Sequence, residues 1–330
     1  MSTPTLNPAR FATTNLISYG CFLAILLNSL WLANAQEPGS NSNTSTNVAA
    51  TVNGIAITTD QIERDIERTL TEIKLGPQQR MKAREATLKK LIDQRIAFEF
   101  LKKHNIWAGE DEVELWLEEL KAELATVEKT IDDYLQQTNQ RLDELRFQTA
   151  WQISWKRYLD RKLTDEFLES HFNQNKRQMD GTKLRVAHLL LKKPGNATSV
   201  QAAALTKKAD SIYEQIKKTS LTWDEAVAEH SEAPTRDSGG EIGWIQMRGP
   251  MPRSFTLAAF ALAKGEISKP VMTRFGVHLI KCIEVKAGEL GWRDIIDEVK
   301  KSAARAYFDA IVQKHRPDVA VKINKVAETK

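Results

Sequence analysis

The chain of 330 residues changes its hydrophobic period twice, and those two changes limit what it can fold into. From Asp60 to about Lys176 the apolar residues recur at helical spacing. Leu88, Ile92, Ile96 and Phe100 form an i+4 row, and Val113, Trp116, Leu117, Leu120 and Leu124 repeat at intervals of three and four. Leu142, Leu145, Ile153 and Trp155 continue a third apolar face. Each face is one-sided, so these helices must bury it against one another. At Lys183 the pattern shortens. "LRVAHLLL" reads as a strand, helical stretches follow at about 200–218 and 223–230, and a Gly-rich turn leads to a short helix at about 255–262 and a strand in "GVHLIKCIEV". This alternation predicts a compact α/β module.

After Gly288 the helical pattern returns, with Trp292, Ile295, Ile296, Val299 and Ala303 on one face, and Pro317 ends it. "DVAVKI" then alternates Val319, Val321 and Ile323 as a strand does, and a buried strand needs a partner for its backbone groups. Val52, Ile55 and Ile57, around an Asn53-Gly54 turn, are the other short β-branched set outside the module. The last strand is therefore expected to pair with the first, making one domain from both chain ends. Thr58, with Gln61 three residues on, marks the first helix start.

The first 35 residues hold one charge, Arg10, and no acid. An apolar stretch over 16–35 ends in Ala33-Asn34-Ala35 before Gln36, which reads as a cleaved secretory signal over 1–35. An uncleaved anchor is the alternative, because the stretch is almost long enough to span a bilayer. Residues 36–47 are a polar linker. Cleavage removes Cys21 and leaves Cys282 as a single thiol, so no internal disulfide is expected in the exported, periplasmic chain. No Cys-x-x-Cys occurs and the six His lack ligand spacing, so neither a metal nor a cofactor is expected. No Gly-x-Ser-x-Gly or phosphate-cradling loop is present, which argues against an exported hydrolase. The 47 basic and 43 acidic residues form no polybasic arm, which argues against nucleic acid.

Four segments carry a resemblance. "VAHLLL" around His188, "SGGEIGW" from Ser238 to Trp244, "FTLAAFALAKGEISKPV" from Phe255 to Val271 and "FGVHLIK" around His278 follow in order over about 100 residues. Together this segment resembles the parvulin family of peptidyl-prolyl isomerases. The flanks resemble, more loosely, the periplasmic chaperones of the SurA type and their Gram-positive relatives of the PrsA type; "VNGIAITTDQI", "LKKLIDQRIAFEFLKKHNIWAGEDEVE" and the closing "VKI" carry that. The resemblance implies an α+β fold: a mainly helical chaperone domain built from both chain ends, with an inserted parvulin-like module of a four-stranded antiparallel sheet and surrounding helices. The expected divisions are a signal at 1–35, a linker at 36–47, a helical domain at 48–182, the isomerase module at 183–286, and a helix and strand at 287–330 that pack back on the helical domain.

An X-Pro bond isomerises slowly because its amide must lose planarity, against a barrier of about 18–20 kcal/mol. A thousandfold acceleration needs only about 4 kcal/mol of preference for the twisted state. The resemblance implies that Met251 and Phe255 line a pocket for the proline ring, with Phe260 behind them. It also implies that His188 and His278 are paired in a hydrogen-bonded network beneath the substrate, in a catalytic or an architectural role. Ala233 departs from the family. Counted back from Gly240 without a gap, it stands where the family places Cys or Asp, and a methyl group offers neither charge nor hydrogen bond. Glu232 and Asp237 are the nearby acids that could substitute. Lys192 and Lys193 follow the first strand without an Arg cluster, which argues against a phosphate-directed substrate.

Two functions follow. One is an exported peptidyl-prolyl isomerase and chaperone that assists the folding of secreted or outer-membrane proteins, its partners being extended exported polypeptides containing X-Pro. The other is a non-catalytic chaperone whose degenerate module, with Ala233 as its mark, only binds extended clients.

Overall fold

A computed structural model describes residues 48–70, 75–195 and 197–324; the signal and linker expected over 1–47 lie outside them. The chain divides into two compact units, one made of residues up to Thr164 together with those from Lys301 on, the other of Asp165–Lys300.

In the first unit, β1 (Val48–Val52) and β2 (Ile55–Thr58) form a hairpin whose turn residues, Asn53 and Gly54, both have positive φ. Thr58 then caps α1 (Thr59–Thr69): its hydroxyl accepts the Gln61 N–H, and the Gln61 side chain accepts the Thr58 N–H. Helices α2 (Pro77–Lys103), α3 (Glu110–Ala125), α4 (Ile131–Gln137) and α5 (Leu142–Lys162) follow. The core joins Val52, Ile57 and Ile62 to Leu91, Ile92 and Ile96 of α2, to Trp151, Trp155 and Tyr158 of α5, and to Ile311 and Val312 near the far end of the chain. Trp155 stacks between Trp151 and Tyr158, at centroid distances of 5.6 and 5.4 Å. β7 (Val321–Ile323) pairs antiparallel with β1, Val52 opposite Val321 and Ala50 opposite Ile323, and the sheet order is β2-β1-β7. The ladder continues past the strand end, where the Asn53 N–H donates to the Ala320 carbonyl at 2.9 Å. Arg316 also reaches Asp93 of α2 at 2.9 Å.

The second unit opens with α6 (Asp165–Gln174) and α7 (Lys176–Met179). Its sheet has the order β4-β3-β6-β5, all antiparallel, with β3 (Lys183–Lys192) and β6 (Gly276–Lys286) at the centre. β4 (Glu241–Gln246) and β5 (Val271–Met272) lie on the outside. The sequence did not announce these two. β4 carries Gly243 at positive φ and a register shift against β3, and β5 is two residues long, so neither shows a run of alternation. Alternation along β3 divides two cores. Ala187, Leu189 and Leu191 face α8 (Ser199–Lys217) and α9 (Trp223–His230), through Ala209, Ile212, Trp223 and Val227. Leu184 and Val186, with Ile280 and Cys282 of β6, face α10 (Arg253–Phe260) through Phe255, Ala259 and Phe260.

The two ends of the module meet. Lys183 is the register partner of Lys286, the Gly288 N–H donates to the Thr182 hydroxyl at 3.0 Å, and the Leu290 N–H donates to the Asp180 carbonyl at 3.1 Å. A Cβ at Gly288 would overlap the Asp180 carbonyl, so this crossing needs a glycine. Helix α11 (Ile296–His315) starts later than the apolar spacing from Trp292 predicts. Residues 292–295 form turns instead, because the Gly291 N–H donates to the Asp294 carboxylate at 2.7 Å and the Asp294 N–H returns to the Gly291 carbonyl at 3.2 Å.

Candidate active site

His188 on β3 pairs with Ile280, and His278 on β6 pairs with Leu190, so the two histidines are diagonal neighbours on one face of the sheet. Their Nδ1 atoms lie 3.0 Å apart and their rings are tilted by only 21°. Beyond them, His278 Nε2 is 2.9 Å from the Thr273 hydroxyl, in the turn between β5 and β6. Phe255 of α10 sets its ring edge-on to both imidazoles, with centroids 6.0 Å from His188 and 5.3 Å from His278.

Burial pulls both histidines down to about 4, and for His278 the neighbouring His188 adds to the effect. At neutral pH both are therefore uncharged, and one Nδ1–H must donate to the other Nδ1. Two proton arrangements satisfy the chain. In one, Thr273 donates to His278 Nε2 and His278 Nδ1–H donates to His188. In the other, His188 Nδ1–H donates to His278, His278 Nε2–H donates to Thr273, and Thr273 donates onward to the Gly276 carbonyl at 3.4 Å. In either, the Phe275 N–H donates to the Thr273 oxygen at 3.1 Å and holds the hydroxyl in place.

The loop that follows α9 is fastened to β3 beside this pair. The Glu232 N–H donates to the Leu190 carbonyl at 2.8 Å, and the buried Ser231 hydroxyl accepts from the Leu190 and Ala233 N–H groups, both at 3.3 Å. Ala233 is 6% exposed, so its methyl is turned inward. Glu232 and Asp237 are both exposed, and Asp237 is held by Arg236 at 3.1 Å. The loop's buried polar atom is instead the Thr235 hydroxyl, which has no hydrogen-bond partner among the described residues. Further on, the Gly240 N–H donates to the Thr235 carbonyl and its carbonyl accepts the His188 N–H, both at 2.8 Å. Gly240 has φ +79°, and a Cβ there would overlap the His188 carbonyl oxygen, so the second glycine of "SGGEIGW" is what lets this loop touch the histidine strand.

Of the residues expected to line a proline pocket, Met251 is half-buried against the α10 core, while Phe255 and Phe260 are 1% and 3% exposed. The expectation that Phe255 lines an open pocket needs amending: it is a core residue that forms the floor under the histidines. Sequence reasoning also missed Thr273 and Ser231. The only signal for Thr273 was a hydroxyl residue just before the turn into the histidine strand, five positions from His278. Cys282 is buried on the same sheet face, and burial pushes its thiol up. Among the described residues, no group of three His, Cys, Asp or Glu side chains is placed to hold a metal.

Comparison with known proteins addresses the same segment. Residues 188–284 match the family model of the rotamase, PPIC-type PPIase domain. The foldase protein PrsA of Caldanaerobacter subterraneus subsp. tengcongensis is 28% identical over 275 residues, covering 79% of this chain and 80% of that protein. The chaperone SurA of Alcanivorax borkumensis is 26% identical over 255 residues, covering 73% of this chain and 57% of its own length. Among solved structures, the peptidylprolyl isomerase PrsA from Bacillus cereus is similar at 17% identity, with 87% of this chain and 94% of that chain covered and a TM-score of 0.36. Residues 188–284 are thus a PPIC-type peptidyl-prolyl isomerase domain that contains the paired histidines, the glycine turn and the short helix, carried in a chain similar along most of its length to foldases and chaperones of the PrsA and SurA kind.

Proposed function

We propose that the histidine face of the sheet is where X-Pro bonds of exported client polypeptides are turned, with His188 and His278 as its central pair, Met251 as the apolar contact of the proline ring and Phe255 as the floor beneath the pair. The observation that carries this reading is the neutral His188–His278–Thr273 chain resting on Phe255. A planar amide is polarised by resonance, and a twisted one is less so. Surroundings apolar enough to hold two imidazoles neutral therefore favour the twisted state over the planar one. The uncharged network can offer the client either a donor or an acceptor at the outer nitrogen of His188, and it changes polarity without taking up a net proton. Ala233 removes the polar group that the family places beside this pair, so the acceleration is expected to be modest.

Client handling extends to the helical unit, whose one-sided helices come from both chain ends. The names of the relatives, foldase and chaperone, agree with this. Export would follow from the signal over 1–35, with cleavage after Ala35. The deciding experiment follows the exchange of X-Pro tetrapeptides by NMR with the chain from Gln36 to Lys330, alongside light scattering of an unfolding client. Accelerated exchange together with reduced scattering is expected. Reduced scattering with no acceleration would leave a chaperone with an inactive module.

A further inference from the structure

The rim around the candidate site is charged on one side. Residues 247–278, which form α10, β5 and the turns beside the histidines, contain Arg248, Arg253, Lys264, Lys269 and Arg274 against a single acid, Glu266. Glu266 is occupied by the Ala263 N–H at 2.7 Å, and Arg248 by Glu298 at 3.6 Å.

Three segments bring Arg253, Arg274 and the Lys192-Lys193 pair to the turn that holds Thr273. The Ser254 hydroxyl donates to the Met272 carbonyl at 3.1 Å, which sets Arg253 beside the end of β5. The Lys193 N–H donates to the Phe275 carbonyl at 3.0 Å, which sets the Lys192-Lys193 loop against the same turn. Arg274 lies within that turn, with its guanidinium 4.7 Å from the Phe275 ring centroid. Lys192, Arg253 and Arg274 are exposed, and among the described residues neither these three nor Lys193 has a carboxylate partner. The acids on the other side of the histidines are differently placed. Glu241 is paired with Arg185 at 2.6 Å and Asp237 with Arg236, while Glu232 is exposed on the loop bonded to Leu190. Phe275 and Met272 are exposed between the cations, so the rim combines apolar contact with unneutralised positive charge.

We propose that this isomerase site selects client prolines that carry an aspartate or glutamate next to them, with Arg274, Arg253 and Lys193 as the residues that set the preference. The inference rests on the isomerase reading above and adds a substrate class to it. A client carboxylate beside the proline meets cations with no internal partner to displace. Each exposed pair is weak alone, and several converging on one client residue reinforce each other.

The test uses the chain from Gln36 and four peptides that differ only before proline: Glu, Gln, Lys and Leu. Exchange rates and binding, the latter from amide shift changes, are measured at low and high salt. The Glu peptide should exceed its Gln isostere by about two- to five-fold in kcat/KM or affinity, the range such exposed pairs support, and Lys should be the poorest. High salt should bring the four together. Arg274→Gln combined with Lys193→Gln should reduce the Glu-to-Gln ratio toward one, and Lys217→Gln, on the distant helix α8, should leave the ratio as it is. Equal values for Glu and Gln, with exchange clearly accelerated, overturn the acidic preference and leave the isomerase intact. No acceleration of any peptide, with Glu still bound more tightly than Gln, removes the isomerase reading and keeps the preference. Neither acceleration nor binding removes both.

Discussion

His188 and His278 share one proton between two Nδ1 atoms 3.0 Å apart, on the central pair of strands, with neither ring charged at neutral pH. The pair is a stability element as much as a chemical one. Folded-state values near 4 lie below the value near 6.5 of an unfolded histidine, so the unfolded chain takes up protons first as the pH falls. The contribution is complete above about 6.5 and is lost as the pH drops toward 4. Denaturant unfolding at pH 7 and 4.5 should show a loss on the order of 3 kcal/mol for one ring. The double variant His188→Gln, His278→Gln should lose clearly less over the same interval.

Ala233→Asp should raise the isomerisation rate. The methyl is buried in the loop fastened to β3, where the Ser231 hydroxyl already accepts the Ala233 N–H. A hydrogen bond made only in the twisted state is worth about 1.4 kcal/mol, or roughly ten-fold in kcat/KM. Burying a carboxylate costs stability, so the melting temperature should fall as the rate rises. A correctly folded variant with an unchanged rate would show that this position does not limit activity.

Phe255→Ala should behave as a core truncation and lower stability by about 3–5 kcal/mol, because the side chain is buried between the sheet and α10. Met251→Ala, half-buried at the edge of the same cluster, should cost less than that and act mainly on peptide affinity. Thermal melts and peptide titrations on the two variants separate floor from rim.

Truncation after Pro317 removes β7 and should expose β1 to solvent exchange. The Asn53 N–H loses the Ala320 carbonyl, and the register partners of Ala50, Thr51 and Val52 disappear. Hydrogen exchange at 49–53 should accelerate markedly, while exchange in β3 and β6 should stay as it was.

The local signals in the sequence were strong where chemistry is local. Asn53-Gly54 and the Thr58–Gln61 pair mark a turn and a cap by side chains that act within three residues, and both form. The two histidine strands are legible because each centres on a cluster of apolar residues around its histidine. What could not be read depends on distant segments. Thr273 matters because a turn aims it at His278, and β5 exists because β6 supplies its bonds. The depth of Phe255 is likewise not legible, because a sequence gives an aromatic residue's type and not its burial. Asp93, Gln94 and Arg95 interrupt the buried face of α2 in a way its i+4 row of apolar residues does not reveal.

The pairing of Lys183 with Lys286 has a consequence for how the rest of the chain folds. An unstructured insert of about a hundred residues would hold its two ends apart as a wide random loop. Each halving of such a loop lowers the entropic cost of closing it by only about 0.6 kcal/mol. Once the module is folded, its ends are a strand spacing apart, and the insert counts as a connection of a few residues. That is four or five halvings, or about 2–3 kcal/mol less to bring the distant helical segments together. A module folded first thus acts as an intramolecular clamp, which predicts that the helical unit assembles after it, with β7 finding β1 late.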